Sequence, residues 1–476
     1  MNRSSSLYSR SLALSAVIVA LAGCSVSPEY DKEIGAKNSK VVEIQMGLYD
    51  LDTLQTYVSA VGQRLVSHLG EQPFEFEFHV VDDPMPNAFA LPGGYIYITR
   101  GLLMLMNTED ELAGVLGHEI SHVTQRHSVK QMQSSVVPGL LEVPGNIVGV
   151  VSSDLGDLIN APISTSNQLF LAGYSRSHET EADTLGATLA AKAGYKPAAM
   201  GDVLTRMNTS IEYITEESIE KSYFDSHPYT PERVENLNQM KGKLTITPSL
   251  PIDAAFPQPL DGMTVGENPD KGVFIEQQFI HPTLKFVIDF PDEWTTVNQP
   301  LSVGAFEDKQ QGLVVLSGVG NKYDAKQNAD RFKFAIEDRY NMEVKVTPTT
   351  LSDGKVGYLT TLKSDDEDTT NYFNQMWLDH NEGTYRVASL ATESLQESVL
   401  DSMNSFRAIS QQDYDKLTLK SLKVVDVEPS DSLEALNKQY SSHIDLALFK
   451  IINGIEEHSD TTKMPKVKVV VEQSYQ

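Results

Sequence analysis

The chain has 476 residues, 40% of them hydrophobic, with 19 Tyr, 17 Phe and 2 Trp, which is enough for globular cores and too long for one ordinary domain, so two or three are expected. A formal net charge of −27 with no basic patch excludes nucleic acid as a partner, because phosphate binding needs a basic surface, and the acidity reads as solubility. The single cysteine excludes an intramolecular disulfide, so the fold must rest on packing.

That cysteine closes Leu21-Ala22-Gly23-Cys24, after a basic start (Arg3, Arg10) and an apolar run from Leu12 to Leu21. These are the regions of a signal peptide, with an apolar run too short to span a bilayer. The small residues before the cysteine resemble the lipobox of bacterial lipoproteins, in which the cysteine is lipidated and becomes the new N-terminus. An ordinary signal peptide with an incidental cysteine is the plain alternative. Ser25, rather than Asp, resembles lipoproteins sorted to the outer membrane of a double-membraned bacterium. The expectation is a signal peptide over 1–23, lipidation at Cys24, a polar tether over 24–49, and a protein held at the periplasmic face of the outer membrane.

From Tyr49 the pattern changes. Leu54, Tyr57, Val58, Val61, Leu65 and Leu69 recur at helical spacing before Gly70 and Pro73. Phe74, Phe76, Phe78 and Val80 then alternate as in a strand. Asn87-Ala88-Phe89-Ala90-Leu91-Pro92-Gly93-Gly94 and Tyr95-Ile96-Tyr97-Ile98-Thr99 read as a hairpin. In a protease such an edge could receive an extended peptide; a purely structural hairpin is the bland reading.

Thr108 with Glu111 gives a capping-box pattern, and Leu112, Leu116, Ile120 and Val123 supply an apolar stripe. Within this helix stands His118-Glu119-Ile120-Ser121-His122. The two histidines lie one turn apart, close enough to ligate one metal, with Glu119 beside them to take a proton from water. A hydrolytic zinc site needs a third protein ligand from elsewhere. Residues 137–167, rich in Gly, Pro and Ser with apolar patches, read as a loop or flap. A second helix from Ser175 to Gly194 carries Glu179 and Asp183 one turn apart on one face, while Glu181 falls on nearly the opposite, solvated face. An acidic pair on a helix is usually surface decoration; beside the first motif it becomes a ligand candidate. His127, five residues past the motif, reads as structural or solvent-facing.

Asn87 to Gly94, Gly117 to His122, Ser175-Arg176 with Glu179-x-x-Ala182-Asp183, and Ser226-His227-Pro228 with Pro231-Glu232-Arg233 together resemble the M48 zinc metallopeptidases, over roughly residues 50 to 240. The resemblance implies a mainly helical gluzincin-like domain holding one zinc ion through His118, His122 and Glu179, with Glu119 as catalytic base. It implies that Asp183 orients a histidine ligand or donates a proton, that His227 approaches the zinc or the reacting oxyanion, and that Arg233 follows it in the site. For His227 the alternative is a turn histidine before proline. No 34-residue period is present, which separates the chain from M48 relatives that carry TPR arrays.

Pro248, Pro251, Pro257 and Pro259 indicate a linker over 246–272. An α+β auxiliary domain over 273–412 is expected next. It has a strand at Leu284 to Phe290, a helix over 325–340, strands near Val344 and Tyr358, a hairpin through Asn381-Glu382-Gly383 and a closing helix ending near Phe406-Arg407. Trp294 and Trp377 read as core. The segment 413–476 has a strand–helix–helix–strand rhythm and resembles a degenerate LysM module, a glycan-binding fold. Ser430 departs from the usual Gly there, so peptidoglycan contact and a structural cap both stay open.

The sequence therefore implies an α+β multidomain envelope lipoprotein. Its expected function is zinc endopeptidase action on misfolded or misassembled envelope proteins. The alternative is a non-proteolytic assembly or wall-binding lipoprotein whose metal site is plugged by His227 or by the 137–167 flap.

Overall fold

The computed structural model describes residues 27–134, 173–214, 223–247, 256–307, 311–341, 343–365, 370–428, 432–440, 442, 444–455 and 465–475. The signal peptide, Cys24, the 137–167 flap and Ser430 lie outside them. None of the described helices is long and apolar enough to cross a membrane.

The first departure from expectation is at the start. Residues expected as tether form helix α1 (Pro28–Gln45), with Pro28 in its first turn and the Ser27 side chain accepting from the Tyr30 amide. Its buried face is Asp31, Gly35, Asn38, Ser39 and Val42, which has helical spacing but almost no apolar residue, so hydrophobic periodicity is silent there. Val42 packs with Val81, Phe89, Leu91 and Tyr97, and Asp31 accepts two hydrogen bonds from Arg126 at 2.7 and 2.8 Å.

Helix α2 (Asp52–Val66) buries Leu54, Val58, Val61 and Leu65. Strands β1 (Glu77–Val81), β2 (Ala88–Leu91) and β3 (Tyr95–Thr99) form one sheet in the order β1-β3-β2, with β1 parallel and β2 antiparallel to β3. The expected hairpin is thus joined by the preceding strand. Helices α3 (Arg100–Leu105), α4 (Glu109–Thr124), α5 (His127–Ser134), α6 (Arg176–Lys192), α7 (Ala199–Ile214), α8 (Tyr223–Ser226) and α9 (Pro231–Met240) complete the region. A single core runs through α2, the inner face of the sheet, α4, α6 and α7.

The segment expected as a linker is instead a strap over its described part. Phe256, Leu260 and Met263 belong to that same core. The buried Arg100 donates to Asp82 at 2.6 Å and to the carbonyls of Thr264 and Gly266 at 2.8 and 3.1 Å. The prolines that suggest a spacer sit between apolar residues that bury.

The next region holds two sheets. Strands β4 (Val273–Ile275), β5 (Gln278–His281), β6 (Phe286–Asp289) and β14 (Arg407–Ala408) form a four-stranded sheet, ordered β14-β6-β5-β4. A seven-stranded antiparallel sheet is ordered β10-β11-β12-β13-β9-β8-β7, with β7 (Thr295–Gln299), β8 (Ser302–Phe306), β9 (Gly312–Gly320), β10 (Thr347–Thr350), β11 (Val356–Asp365), β12 (Thr370–His380) and β13 (Gly383–Thr392). Helix α10 (Ala325–Tyr340) covers one face, where Ile336 meets Leu313, Val315, Phe373 and Leu390. Helix α11 (Gln396–Asn404) covers the other through Val399 and Met403 against Met376 and Val387. Alternate residues of each strand thus serve two cores. Trp294 and Trp377 are both buried.

After the short helix α12 (Gln411–Tyr414), strand β15 (Thr418–Asp426), helices α13 (Leu433–Gln439) and α14 (Leu446–Asn453), and strand β16 (Lys466–Ser474) follow; β15 and β16 pair antiparallel. This unit is not a free appendage. Leu422, Ile452 and Val470 enter the first region's core, and the fully buried Lys468 donates to the carbonyls of Met104 and Met106 at 2.6 and 2.7 Å.

Candidate metal centre

Helix α4 is anchored before it reaches the site. The Thr108 hydroxyl accepts from the Glu111 amide at 3.2 Å, while the Glu111 carboxylate reaches back to the amide of Asn107 at 2.8 Å. The reciprocal half of the expected box is thus displaced by one residue. Arg206 holds the same carboxylate at 2.8 Å. Two turns on, His118, Glu119 and His122 are almost completely buried.

Helix α6 crosses α4 at two glycines. A Cβ on Gly186 would stand 2.7 Å from the backbone nitrogen of His118, and one on Gly117 would stand 3.0 Å from the Gly186 carbonyl oxygen. Only hydrogen at these positions permits such an approach. The close crossing brings Glu179 and Asp183 to the histidines. Ser175 caps α6 by accepting from the His178 amide at 3.2 Å.

Side-chain atoms of His118, His122, Glu179 and His227 converge within 4.8 Å of one another, all buried. Nε2 of His118 and Nε2 of His122 are 2.9 Å apart. Glu179 lies 3.3 Å from His122 Nε2 and 3.6 Å from His118 Nε2. His227, on the turn after α8, places Nδ1 3.1 Å from Glu179 and 3.3 Å from His118. The Asp183 carboxylate faces Nδ1 of His118 at 2.9 Å, so that ring keeps its proton there and turns a lone pair towards the cluster. Facing nitrogen lone pairs and a carboxylate repel unless a cation sits among them. The nitrogen and oxygen donor set suits zinc.

Arg233 closes the network from behind. It pairs with both oxygens of Asp183 at 2.8 Å and with Glu179 at 2.7 Å. Glu119 is different: both of its oxygens are buried without a hydrogen-bond partner, and the nearest basic group is His227 Nε2 at 3.7 Å.

The electrostatics follow from burial and these neighbours. Burial pushes Glu119 above the usual carboxylate range, with His227 and His118 opposing. Burial, together with the neighbouring His118 and His227, keeps His122 well below the ordinary histidine value against the pull of Glu179, which leaves it neutral as a ligand must be. Burial would raise Glu179, yet His227, His122 and His118 outweigh it and hold the carboxyl well below its usual range. Asp183 is likewise lowered against burial, by Arg233 and His118. Burial would lower His227, but Glu179 and Glu119 hold it above the usual value.

Every site residue expected beyond the masked N-terminus, namely His118, Glu119, His122, Glu179, Asp183, His227 and Arg233, lies in this one cluster. His127, expected as structural or solvent-facing, and Glu181, expected on the solvated face, meet beside this cluster. His127 is fully buried, with Nδ1 3.0 Å from His122 Nδ1. Glu181, half exposed, meets His127 Nε2 at 3.1 Å. Sequence reasoning also misses Tyr174, whose ring stacks on His122 at 3.9 Å; a tyrosine just before a capping serine carries no metal-site signal.

The peptidase family M48 profile matches residues 52–241. The chain is 30% identical over 203 residues to a beta-barrel assembly-enhancing protease of Yersinia pestis, covering 41% of each chain. It is 29% identical over 219 residues to the mitochondrial metalloendopeptidase OMA1 of Schizosaccharomyces pombe, covering 45% of this chain and 62% of that one. With the metalloprotease LoiP of Escherichia coli it shares 30% identity over 187 residues, 38% of this chain and 68% of the relative. The matched stretch spans 34% to 62% of the length of three such relatives.

Proposed function

The chain belongs to peptidase family M48, and from that premise we propose that it is a zinc endopeptidase of the bacterial cell envelope, acting on misfolded or misassembled envelope proteins. The observation that carries the reading is Glu119. Its carboxylate is completely buried, has no hydrogen-bond partner, and lies next to the converged ligand atoms. A binding site alone has no use for a buried carboxylate left without hydrogen bonds, whose burial is costly.

His118, His122 and Glu179 would hold the zinc, which when bound would supply Lewis acidity to a carbonyl and lower the pKa of water. Glu119, raised by burial, accepts the proton from the attacking water and returns it to the leaving amine. Asp183 and Arg233 keep His118 and Glu179 in place. Among the described residues β2 pairs only with β3, which makes it an edge strand of its sheet, with all four of its residues buried. The assembly-related names of the bacterial relatives support an envelope substrate, and the expected lipidation at Cys24 supports attachment at the periplasmic face of the outer membrane.

The test is casein turnover by the full chain, with and without a chelator. The Glu119→Gln variant keeps zinc and loses on the order of 10²- to 10⁴-fold in turnover. Undiminished cleavage by a clean preparation of that variant ends the reading.

One observation favours a second reading, an inert envelope factor with a plugged site. His227 lies inside the ligand group rather than beside it. If the zinc-loaded parent is inactive and His227→Ala is active, His227 is the plug; if the parent cleaves and His227→Ala is slower, it serves the oxyanion. For the C-terminal unit, its strand–helix–helix–strand order supports a LysM-like module, and its burial against the first region supports a structural cap. Co-sedimentation with peptidoglycan separates these two.

A further inference from the structure

We propose that His127 and Glu181 are positioning residues for the metal ligand His122, forming a hydrogen-bonded relay that fixes its tautomer and ring orientation. The inference rests on the zinc reading above and concerns how that site is held.

The two ligand histidines are supported differently. Nδ1 of His118 faces a carboxylate directly, Asp183 at 2.9 Å. Nδ1 of His122 faces a third imidazole, His127, at 3.0 Å. Donor and acceptor counting then allows one assignment. His122 turns Nε2 to the ligand cluster, so its proton is on Nδ1 and is donated to Nδ1 of His127. His127 accepts there, so its own proton is on Nε2, which donates to Glu181 at 3.1 Å. Each heteroatom along the line has one role, and the line ends at a half-exposed carboxylate.

The surroundings hold this relay in register. Arg126 adopts a left-handed φ of 56° directly after α4, which turns the chain so that His127 returns to His122. The His127 ring stacks on His178 of the first turn of α6, with centroids 4.3 Å apart and planes at 11°. On the other side, Tyr174 stacks on the face of His122 with centroids 3.9 Å apart, and its hydroxyl is fixed by Ser128 at 2.7 Å. The His122 ring is therefore clasped at Nδ1 and on one face, and the remaining nitrogen points where a ligand atom is needed. Outer partners of this kind typically set metal affinity by about 10- to 100-fold.

The test uses the full chain, stripped of metal and titrated with zinc against a competing chelator, with the visible spectrum of the cobalt-substituted protein as second readout. His127→Phe keeps a ring against His178 but removes the acceptor; it should weaken zinc binding by roughly 10- to 100-fold and shift the cobalt bands. His127→Asn, whose Oδ1 can accept from His122, should recover most of that loss. Glu181→Leu, which removes the acceptor, should weaken binding by a smaller factor, and its half-exposed position carries the test if His127→Phe does not fold. Parent-like zinc affinity and an unchanged cobalt spectrum in His127→Phe, or in Glu181→Leu if only that variant folds, overturn the relay alone. A parent chain that binds no zinc removes the zinc reading and the relay with it.

Discussion

The M48-like region and the two-sheet region bury polar side chains in opposite ways. In the first, His118, Glu119, His122, His127, Glu179, Asp183, His227 and Arg233 all lie in the interior, at 5% exposure or less. In the second, residues 273–408, the buried polar groups among the described residues are Ser317, Thr360, Asn374, Gln375, His380, Thr384, Ser389 and Ser402, with no Asp, Glu, Lys or Arg. Burying charge is costly unless every group is paired, and one removed partner strands the others. The first region carries that cost at the metal cluster, and also away from it at Asp31, Arg100, Glu109, Asp110 and Glu111. The second is accounted for by apolar packing on the two faces of one sheet.

The sharpest way to break the contrast is Arg233→Met. It leaves Asp183 and Glu179 buried without their guanidinium, and should destabilise the metal-free chain by about 3–5 kcal/mol in urea unfolding while weakening zinc uptake. In the two-sheet region the comparable injury is apolar. Met376→Ala, at a site with no exposure, should cost about 2–5 kcal/mol and leave zinc affinity at the parent value; a linked loss of zinc would dissolve the distinction between the regions. Gly186→Ala tests the crossing itself. The added methyl meets the His118 backbone, so a loss of about 1–3 kcal/mol should come with weaker zinc binding.

Lys468→Met asks whether the C-terminal unit depends on a buried cation. It orphans the carbonyls of Met104 and Met106, at about 1–3 kcal/mol, and limited proteolysis should then release the unit first. The two-sheet region has a titration of its own. Burial and the nearby Lys271 lower His281 from 6.5 to about 4, and its Nδ1 accepts from the Leu284 amide as a neutral ring. Because the unfolded chain takes up the proton first, this stability is complete above pH 6.5 and is lost as pH falls towards 4. His281→Phe should flatten that part of the pH–stability curve.

Much of the site is legible because it is local. His118 and His122 are four residues apart on a well-capped helix, as are Glu179 and Asp183 on theirs, and 3.6-residue periodicity is enough to put each pair on one face. His227 and Arg233 come from resemblance, since a histidine before proline has no signal of its own. Periodicity places Glu181 correctly on the exposed face but is silent about its partner. His127 comes round to meet it after the left-handed turn at Arg126. Helix α1 has no hydrophobic periodicity because its buried face is small and polar, and along 256–272 the prolines mask the buried Phe256, Leu260 and Met263.

The sequence by itself determined the chemistry: which residue types stand one helical turn apart, and therefore that a metal, its carboxylate base and an acidic helix belong together. Only the tertiary structure decided how those pieces meet. The Gly117–Gly186 approach sets the distance between the two helices, Arg233 binds two carboxylates from one side, and Arg126 returns His127 to His122. The physical reason is range. Spacing along a helix is fixed by backbone geometry over one turn, whereas the pairing of buried charges depends on contacts between segments tens of residues apart, which no local pattern encodes.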